Sequence, residues 1–384
     1  MISGRNRVLF ISQYAGFIGG LERYIHSVAL LLKENGFKVY SLFIEDAQEK
    51  ERFLSIFDAY WHIEDIDQIS EKEFDLTTAH KISHPHTFER VLERFSPALF
   101  VHDHDYYCPK GYKYYPYKRI NCHRQYASLF CGLCSSLVPP RHMVKGLKAA
   151  LNKNFIESGK LFKLAVSCKF FVVLSNFMKC NLLKNGVAEE KIKIIHPFLN
   201  LPSLPNGKRI DRDVPKIVFA GQQVMSKGTP LFLEAISKLR SAASVRILGS
   251  GSRLNDFKKL AEQMGLKNRI SFDGWVKNPL EVFINSDIAV FPSLWQEPFG
   301  LSGIEAMSCG IPVVGFDVGG VSEWLKNGFN GILVPERDTA AMASAIDKLI
   351  MNGELRQTLG YNARQGVEKD YSKQKFLNHF INLI

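Results

Sequence analysis

Short apolar runs alternate with amphipathic stretches along the chain. Val8–Ile11 is an apolar run of strand type, and a loop with Gly16, Gly19 and Gly20 follows it. Leu21–Asn35 then places Tyr24, Val28, Leu31 and Leu32 on one helical face, with Gly36 as the stop signal. Lys38–Ile44, Leu99–Val101 and Phe170–Leu174 read as further strands of the same sheet. Asn200–Gly207, rich in Pro, Asn and Gly, reads as a domain boundary. Beyond it the rhythm restarts. Strands are expected at Ile217–Ala220, Val245–Leu248, Ile288–Phe291, Pro312–Val314 and Ile332–Val334. Helices are expected at Thr229–Arg240, Arg253–Met264, Leu301–Cys309 and Asp338–Met351, with a last helical stretch from Gly353. This alternation predicts an α/β chain of parallel sheets covered by helices, in two domains facing a cleft. Ligands in such sheets sit beyond the carboxyl ends of the strands, so candidate chemistry belongs in the loops that follow them.

Composition narrows the class. A chain of 384 residues that is 46% hydrophobic excludes disorder and accommodates two cores. The longest apolar run is about five residues, against the roughly 20 that a membrane-spanning helix needs. No apolar stretch with a small-residue cleavage site follows Met1, and seven cysteines cannot all pair within one chain. The expectation is a cytoplasmic protein.

The net charge of +11 is uneven. Residues 106–200 carry 16 Lys and Arg against three Asp and Glu, whereas residues 1–105 carry 11 against 17. Within the basic segment, Leu147, Leu151 and Phe155 recur at helical spacing among Lys145, Lys148 and Lys153. Two readings fit: a peripheral contact with an anionic membrane, or a helix with a packed apolar face and solvated lysines.

Glu297-Pro-Phe-Gly-Leu-Ser-Gly-Ile-Glu305 carries the most chemistry. Pro298 and Gly300 hold Glu297 in a loop after a strand, and Glu305 falls inside the following helix. Backbone N–H groups at Gly300, Leu301 and Ser302 lie at that helix's N-terminus and can receive an anion. A diphosphate between two hydroxyl-bearing rings fits this segment; paired carboxylates could instead do acid–base work in hydrolysis. Other strand ends add Gly221-Gln222-Gln223 with Lys227-Gly228, then Gly249-Ser250-Gly251, and then Gly315 to Gly320.

These residues, in this order, resemble the retaining glycosyltransferases called group 4, whose GT-B fold joins two Rossmann-like domains across a cleft. In the first domain Gly19-Gly20-Leu21-Glu22-Arg23, His102-Asp103 and Ser175-Asn176 match the same family. The resemblance implies an acceptor-side domain over 1–200 with a basic, cysteine-containing insert at 106–165. It implies a nucleotide-sugar domain over 201–370 and a helix at 371–384 returning to the first domain. It also implies a UDP- or GDP-sugar donor, no catalytic metal, and a saccharide or lipid-linked acceptor from cell-surface glycan synthesis such as lipopolysaccharide or capsule. Glu297 would contact donor-sugar hydroxyls, Glu305 the ribose, Lys227 the diphosphate, and Gly19, Gly20, Gly300, Leu301 and Ser302 would add backbone contacts. Gln222 and Gly249 would line the donor site, and His102 would lie near the reacting sugar. Gln222 departs from the arginine that many relatives carry, which shifts charge neutralisation toward Lys227. Two alternatives remain: a nucleotide-sugar epimerase, and a non-catalytic zinc-stabilised nucleic-acid-binding protein. The second leaves both glutamates idle, so nucleic acid is not the expected partner.

Cys108, Cys122, Cys131 and Cys134 fall close together, the last two as Cys-x-x-Cys. They read as a structural zinc site, as free thiols or as a redox pair. Cys168, Cys180 and Cys309 read as buried thiols.

Overall fold

The computed structural model describes residues 6–115, 120–137, 159–204 and 212–384. The basic stretch around Lys145–Phe155 lies outside them. The chain divides into two compact units, the first built mainly from residues up to His196 together with Phe376–Ile384, the second mainly from Pro197–Lys375.

The first unit holds a seven-stranded parallel sheet. Its strands are β1 (Arg7–Ala15), β2 (Lys38–Asp46), β3 (Ala59–His62), β4 (Leu76–His80), β5 (Ala98–Val101), β6 (Phe170–Val173) and β7 (Ile192–Ile194). Their spatial order is β3-β2-β1-β4-β5-β6-β7. Leu9, Ile11, Leu42, Ala79, Leu99 and Phe171 are buried in one apolar cluster. Burial on both faces explains why these strands read as continuous apolar runs. β4 was not visible in that pattern, because Leu76-Thr-Thr-Ala-His80 is entirely buried yet polar at three positions. The helix Gly20–Glu34 buries Ile25, Val28, Ala29, Leu31 and Leu32. The final helix, Lys373–Ile381, buries Phe376, Leu377 and Phe380, with the Phe380 ring 6.2 Å from that of Phe100.

The second unit holds a six-stranded parallel sheet: β8 (Lys216–Ala220), β9 (Ser244–Leu248), β10 (Ile270–Gly274), β11 (Ile288–Phe291), β12 (Val313–Phe316) and β13 (Gly331–Val334). The order is β10-β9-β8-β11-β12-β13. From β8 the chain runs outward through β9 and β10, then returns to pair β11 on the other side of β8. The order therefore reverses between β8 and β11, where the loops of open α/β sheets part and leave a ligand crevice. The first sheet reverses in the same way between β1 and β4. Cys168 and Cys309 are buried as expected, but Cys180 is exposed, because the helix Asn176–Lys184 turns its face to solvent there.

Candidate functional site

At the switch point of the second unit, the loop after β8 ends in a short turn, Met225–Lys227, closed by Gly228 at φ 78°. The loop after β11 runs alongside it, with the Leu294 N–H donating to the Ser226 carbonyl at 2.8 Å. The approach is tight: a Cβ on Gly228 would lie 1.8 Å from the Pro292 carbonyl oxygen. This contact brings together two side chains 70 residues apart in sequence. Lys227 Nζ donates to Glu297 Oε1 at 2.6 Å, and Ser293 Oγ donates to the same oxygen at 2.6 Å. The Glu297 side chain is 5% exposed and that of Lys227 21%. The ammonium also stands 5.0 Å from the centre of the Trp295 ring, a favourable cation–π position.

The loop from Glu297 to Gly300 is pinned from the far side. The Gly320 N–H donates to the Glu297 carbonyl at 2.8 Å, and Trp324 Nε1 donates to the Phe299 carbonyl at 2.6 Å. Gly300 takes φ 100° at the start of the helix Leu301–Ser308, and the helix has no side-chain cap. Its first N–H groups, at Leu301 and Ser302, thus present partial positive charge at the same sheet edge as Lys227. Trp324 sets how close this helix starts: a Cβ on Gly303 would fall 2.1 Å from its ring. Glu305, half-buried, lies one turn into the helix.

The neighbouring strand ends form a second close contact. The Gly221 N–H donates to the Leu248 carbonyl at 3.0 Å and the Gln223 N–H to the Ser250 carbonyl at 2.9 Å. A Cβ on Gly249, at φ 117°, would lie 2.1 Å from the Gly221 oxygen. Gln222 is exposed, while the next residue, Gln223, is fully buried and bridges the Gly221 carbonyl and the Thr229 hydroxyl.

In the first unit, Gly19 and Gly20 are exposed after β1, and the Gly19 N–H donates to the Glu22 carboxylate at 2.8 Å. The protein's own packing demands neither glycine. A Cβ on Gly20 would meet nothing within 4 Å, and one on Gly19 only the Glu22 carboxylate at 3.6 Å. His102 follows β5 and closes a buried polar chain. Thr78 Oγ1 donates to the Leu9 carbonyl at 3.1 Å, His80 Nε2 is 3.2 Å from Thr78 Oγ1, and His80 Nδ1 is 3.0 Å from His102 Nε2. Since the Thr78 hydroxyl donates to Leu9, His80 donates from Nε2 and accepts at Nδ1, so His102 carries its proton on Nε2. Burial pushes the His102 imidazole down to about 4, with Asp103 opposing and Lys81 adding to the shift. His80 is driven well below its usual value by burial and by His102. The Tyr24 ring stands 4.9 Å from that of His102, and its hydroxyl is buried without a partner among the described residues. Beside them Lys81 Nζ bridges Asp103 at 3.1 Å and Asp105 at 2.5 Å. Burial and the neighbouring Asp103 raise the Asp105 carboxyl to about 7.

Cys108, Cys122, Cys131 and Cys134 line one cavity of about 280 Å³ in the first unit. Ser293, Trp295, His80 and Tyr24 were not singled out from the sequence. Ser293 stands four residues before Glu297, but no spacing rule marks it; Tyr24 read only as part of a helix's apolar face, and Trp295 and His80 fell in no predicted element.

Residues 202–366 match the family described as glycosyl transferases group 1. An uncharacterized glycosyltransferase of Methanocaldococcus jannaschii is 27% identical over 56% of this chain and 60% of its own length. The poly(ribitol-phosphate) alpha-N-acetylglucosaminyltransferase of Staphylococcus aureus is 28% identical over 55% of this chain and 43% of its own length. The chain thus spans less than two thirds of either relative. Anabaena HepE, solved in complex with UDP, superposes with a TM-score of 0.72 at 16% identity, covering 98% of this chain and 99% of its own. The fold is GT-B. Among the described residues, no helix is long and apolar enough to cross a membrane.

Proposed function

We propose that this chain, whose residues 202–366 match the glycosyl transferases group 1 family, is a retaining glycosyltransferase that moves a sugar from a nucleoside diphosphate sugar to a cell-surface glycan or lipid-linked saccharide. The observation that carries this reading is the Lys227–Glu297 pair beside an uncapped helix start, at the point where the second sheet reverses its strand order. A diphosphate needs a cation and convergent N–H donors, and a sugar needs a fixed carboxylate; this edge offers all three.

The chemistry follows from charge. As the bond from the anomeric carbon to the phosphate oxygen breaks, its electron pair passes to the diphosphate and the sugar becomes oxocarbenium-like. Lys227 and the N–H groups of Leu301 and Ser302 stabilise the growing negative charge, without reorganising, where it develops. Glu297, held in place by Ser293, orients sugar hydroxyls, and Glu305 takes the ribose hydroxyls. Gln222 and Gly249 line the donor site. In the first unit, Gly19 and Gly20 leave backbone open to a ligand, and His102, neutral and oriented by His80, serves the reacting sugar. The UDP bound by HepE and the phosphate-bearing acceptor named for the Staphylococcus relative support a nucleotide donor and an anionic acceptor. The basic charge of residues 106–200 suits such an acceptor, or contact with an anionic membrane.

The test is incubation with UDP- and GDP-sugars, following nucleoside diphosphate release with and without saccharide acceptors, and NMR of the product's anomeric configuration. Expected are slow hydrolysis alone, acceleration by an acceptor, and retention. Glu305→Ala should weaken nucleotide affinity, and Glu297→Ala should lower turnover more than affinity. Wild-type behaviour in both variants, or interconversion of donor sugars without nucleotide release, would overturn the assignment.

A further inference from the structure

The cysteine cavity of the first unit takes no part in the donor chemistry, and its chemistry is specific. Four thiols reach it from separate points of the chain: Cys108 from the loop after β5, Cys122 from the strand-like stretch beyond it, and Cys131 and Cys134 from successive turns of the helix Ser128–Leu137. Cys108 opens a Cys-Pro-Lys-Gly turn in which the Gly111 N–H donates to the Cys108 carbonyl at 2.8 Å, with Gly111 at φ 72°.

The second observation is independent of the cysteines. Lys110 lines the same cavity, is 5% exposed, and its Nζ is buried with no hydrogen-bond partner. A buried, unpaired ammonium is costly, and its neighbours as neutral thiols offer no charge to offset it. Lys113, 2% exposed, lines the cavity too, with its Nζ bonded to the Arg124 carbonyl at 2.9 Å and to Asn181 Oδ1 at 2.8 Å. Two buried lysines line the cavity together with the four cysteines, and an anionic centre there would offset their charge.

We propose that Cys108, Cys122, Cys131 and Cys134 bind one zinc ion as a tetrathiolate. Four S–H protons leave to solvent as the ion enters. The resulting centre carries a net charge of about −2, which the two lysines offset. Among the described residues, no three His, Cys, Asp or Glu side chains already converge as ligands. Closure therefore draws the cysteines in, toward Zn–S distances of about 2.3 Å, and the cavity gives them room to turn. Lys113 also ties this loop to the helix Asn176–Lys184, so the ion would clamp the loop that begins at His102 onto that helix.

The experiment uses the full-length chain, purified in reductant without chelator. Elemental analysis should find about one zinc per chain, and exchange for cobalt should give the visible bands of a tetrahedral thiolate site. Cys131→Ser and Cys134→Ser should each lower zinc content at least about tenfold, whereas Cys180→Ser, at an exposed thiol outside the cavity, should leave it unchanged. Should the serine variants fail to fold, titration of the wild-type chain with a mercurial, read by a zinc-sensitive dye, decides instead: release of the ion as four thiols react supports the site. Less than about a tenth of an ion per chain after incubation with zinc, a mass two protons low from a Cys131–Cys134 disulfide, or phosphate bound in the cavity of the metal-free chain would each overturn it. None of these outcomes depends on whether sugar transfer occurs.

Discussion

Removing Lys227 should destabilise the second unit more than removing its partner's charge. Glu297 is the more buried of the two, at 5% side-chain exposure against 21%, and without Lys227 it retains, among the described residues, only the Ser293 hydroxyl as a side-chain partner. Breaking a buried pair by deleting one partner costs about 3–5 kcal/mol; the partial exposure of Lys227 places Lys227→Met near about 3 kcal/mol. Glu297→Gln keeps an acceptor for Lys227, whose ammonium also has the Trp295 ring and solvent, and should cost about 1–2 kcal/mol. The double variant should recover about 1–3 kcal/mol of the summed cost, since the uncompensated carboxylate is gone. At roughly 2–4 °C per kcal/mol for a unit of this size, Lys227→Met lowers the midpoint by about 6–12 °C. Tryptophan fluorescence reads this transition, because Trp275, Trp295 and Trp324 all lie in the second unit. Glu297→Gln costing as much as Lys227→Met, or strictly additive single effects, would refute the reasoning.

Gly319→Ala should be severe and Gly328→Ala mild, although both glycines have positive φ, 59° and 75°. A Cβ on Gly319 would lie 2.3 Å from the Glu297 oxygen, whereas one on Gly328 would meet nothing within 4 Å; urea unfolding should show about 1–2 kcal/mol of backbone strain for the second and a clearly larger loss for the first. The pH dependence of stability should separate two buried groups. His102, lowered from 6.5 to about 4, binds its proton more tightly in the unfolded chain, so its contribution is complete above pH 6.5 and is lost as pH falls toward 4. Asp105, raised from 3.8 to about 7, acts the opposite way: its contribution is complete below pH 3.8 and is lost as pH rises toward 7. Denaturation curves across that window should therefore lose slope in opposite senses in His102→Asn and Asp105→Asn, and a change of the same sign in both would contradict the assignments.

Much of the architecture is legible in the sequence because a doubly covered parallel sheet writes itself as apolar runs, as at Val8–Ile11 and Ile288–Phe291. Where burial is polar the signal fails. Thr78 and His80 occupy a central strand because each polar atom finds a partner in the Leu9–Thr78–His80–His102 chain, and no single-residue pattern encodes that pairing. Edge strands fail for a different reason: Ile270–Gly274 is only half-buried and breaks its register with β9 at Ile247/Leu248. At the candidate site, the loop positions of Lys227 and Glu297 follow from the glycines and prolines around them. Their 2.6 Å contact does not, since it depends on Gly228 lying flat against Pro292. Gln222 drew attention as a substitution in a motif, yet it is Gln223 whose amide holds the loop together, a role visible only once the strands are paired.

The closing helix carries a consequence for how the molecule can be taken apart. Because Phe376–Ile384 rejoins the unit that holds β1, the segment Pro197–Lys375 is threaded between two covalent crossings, in the manner of a guest inserted into a host. One proteolytic nick after His196 would leave the fragments associated through Phe376, Leu377 and Phe380, so liberating the guest requires a second cut near Lys375.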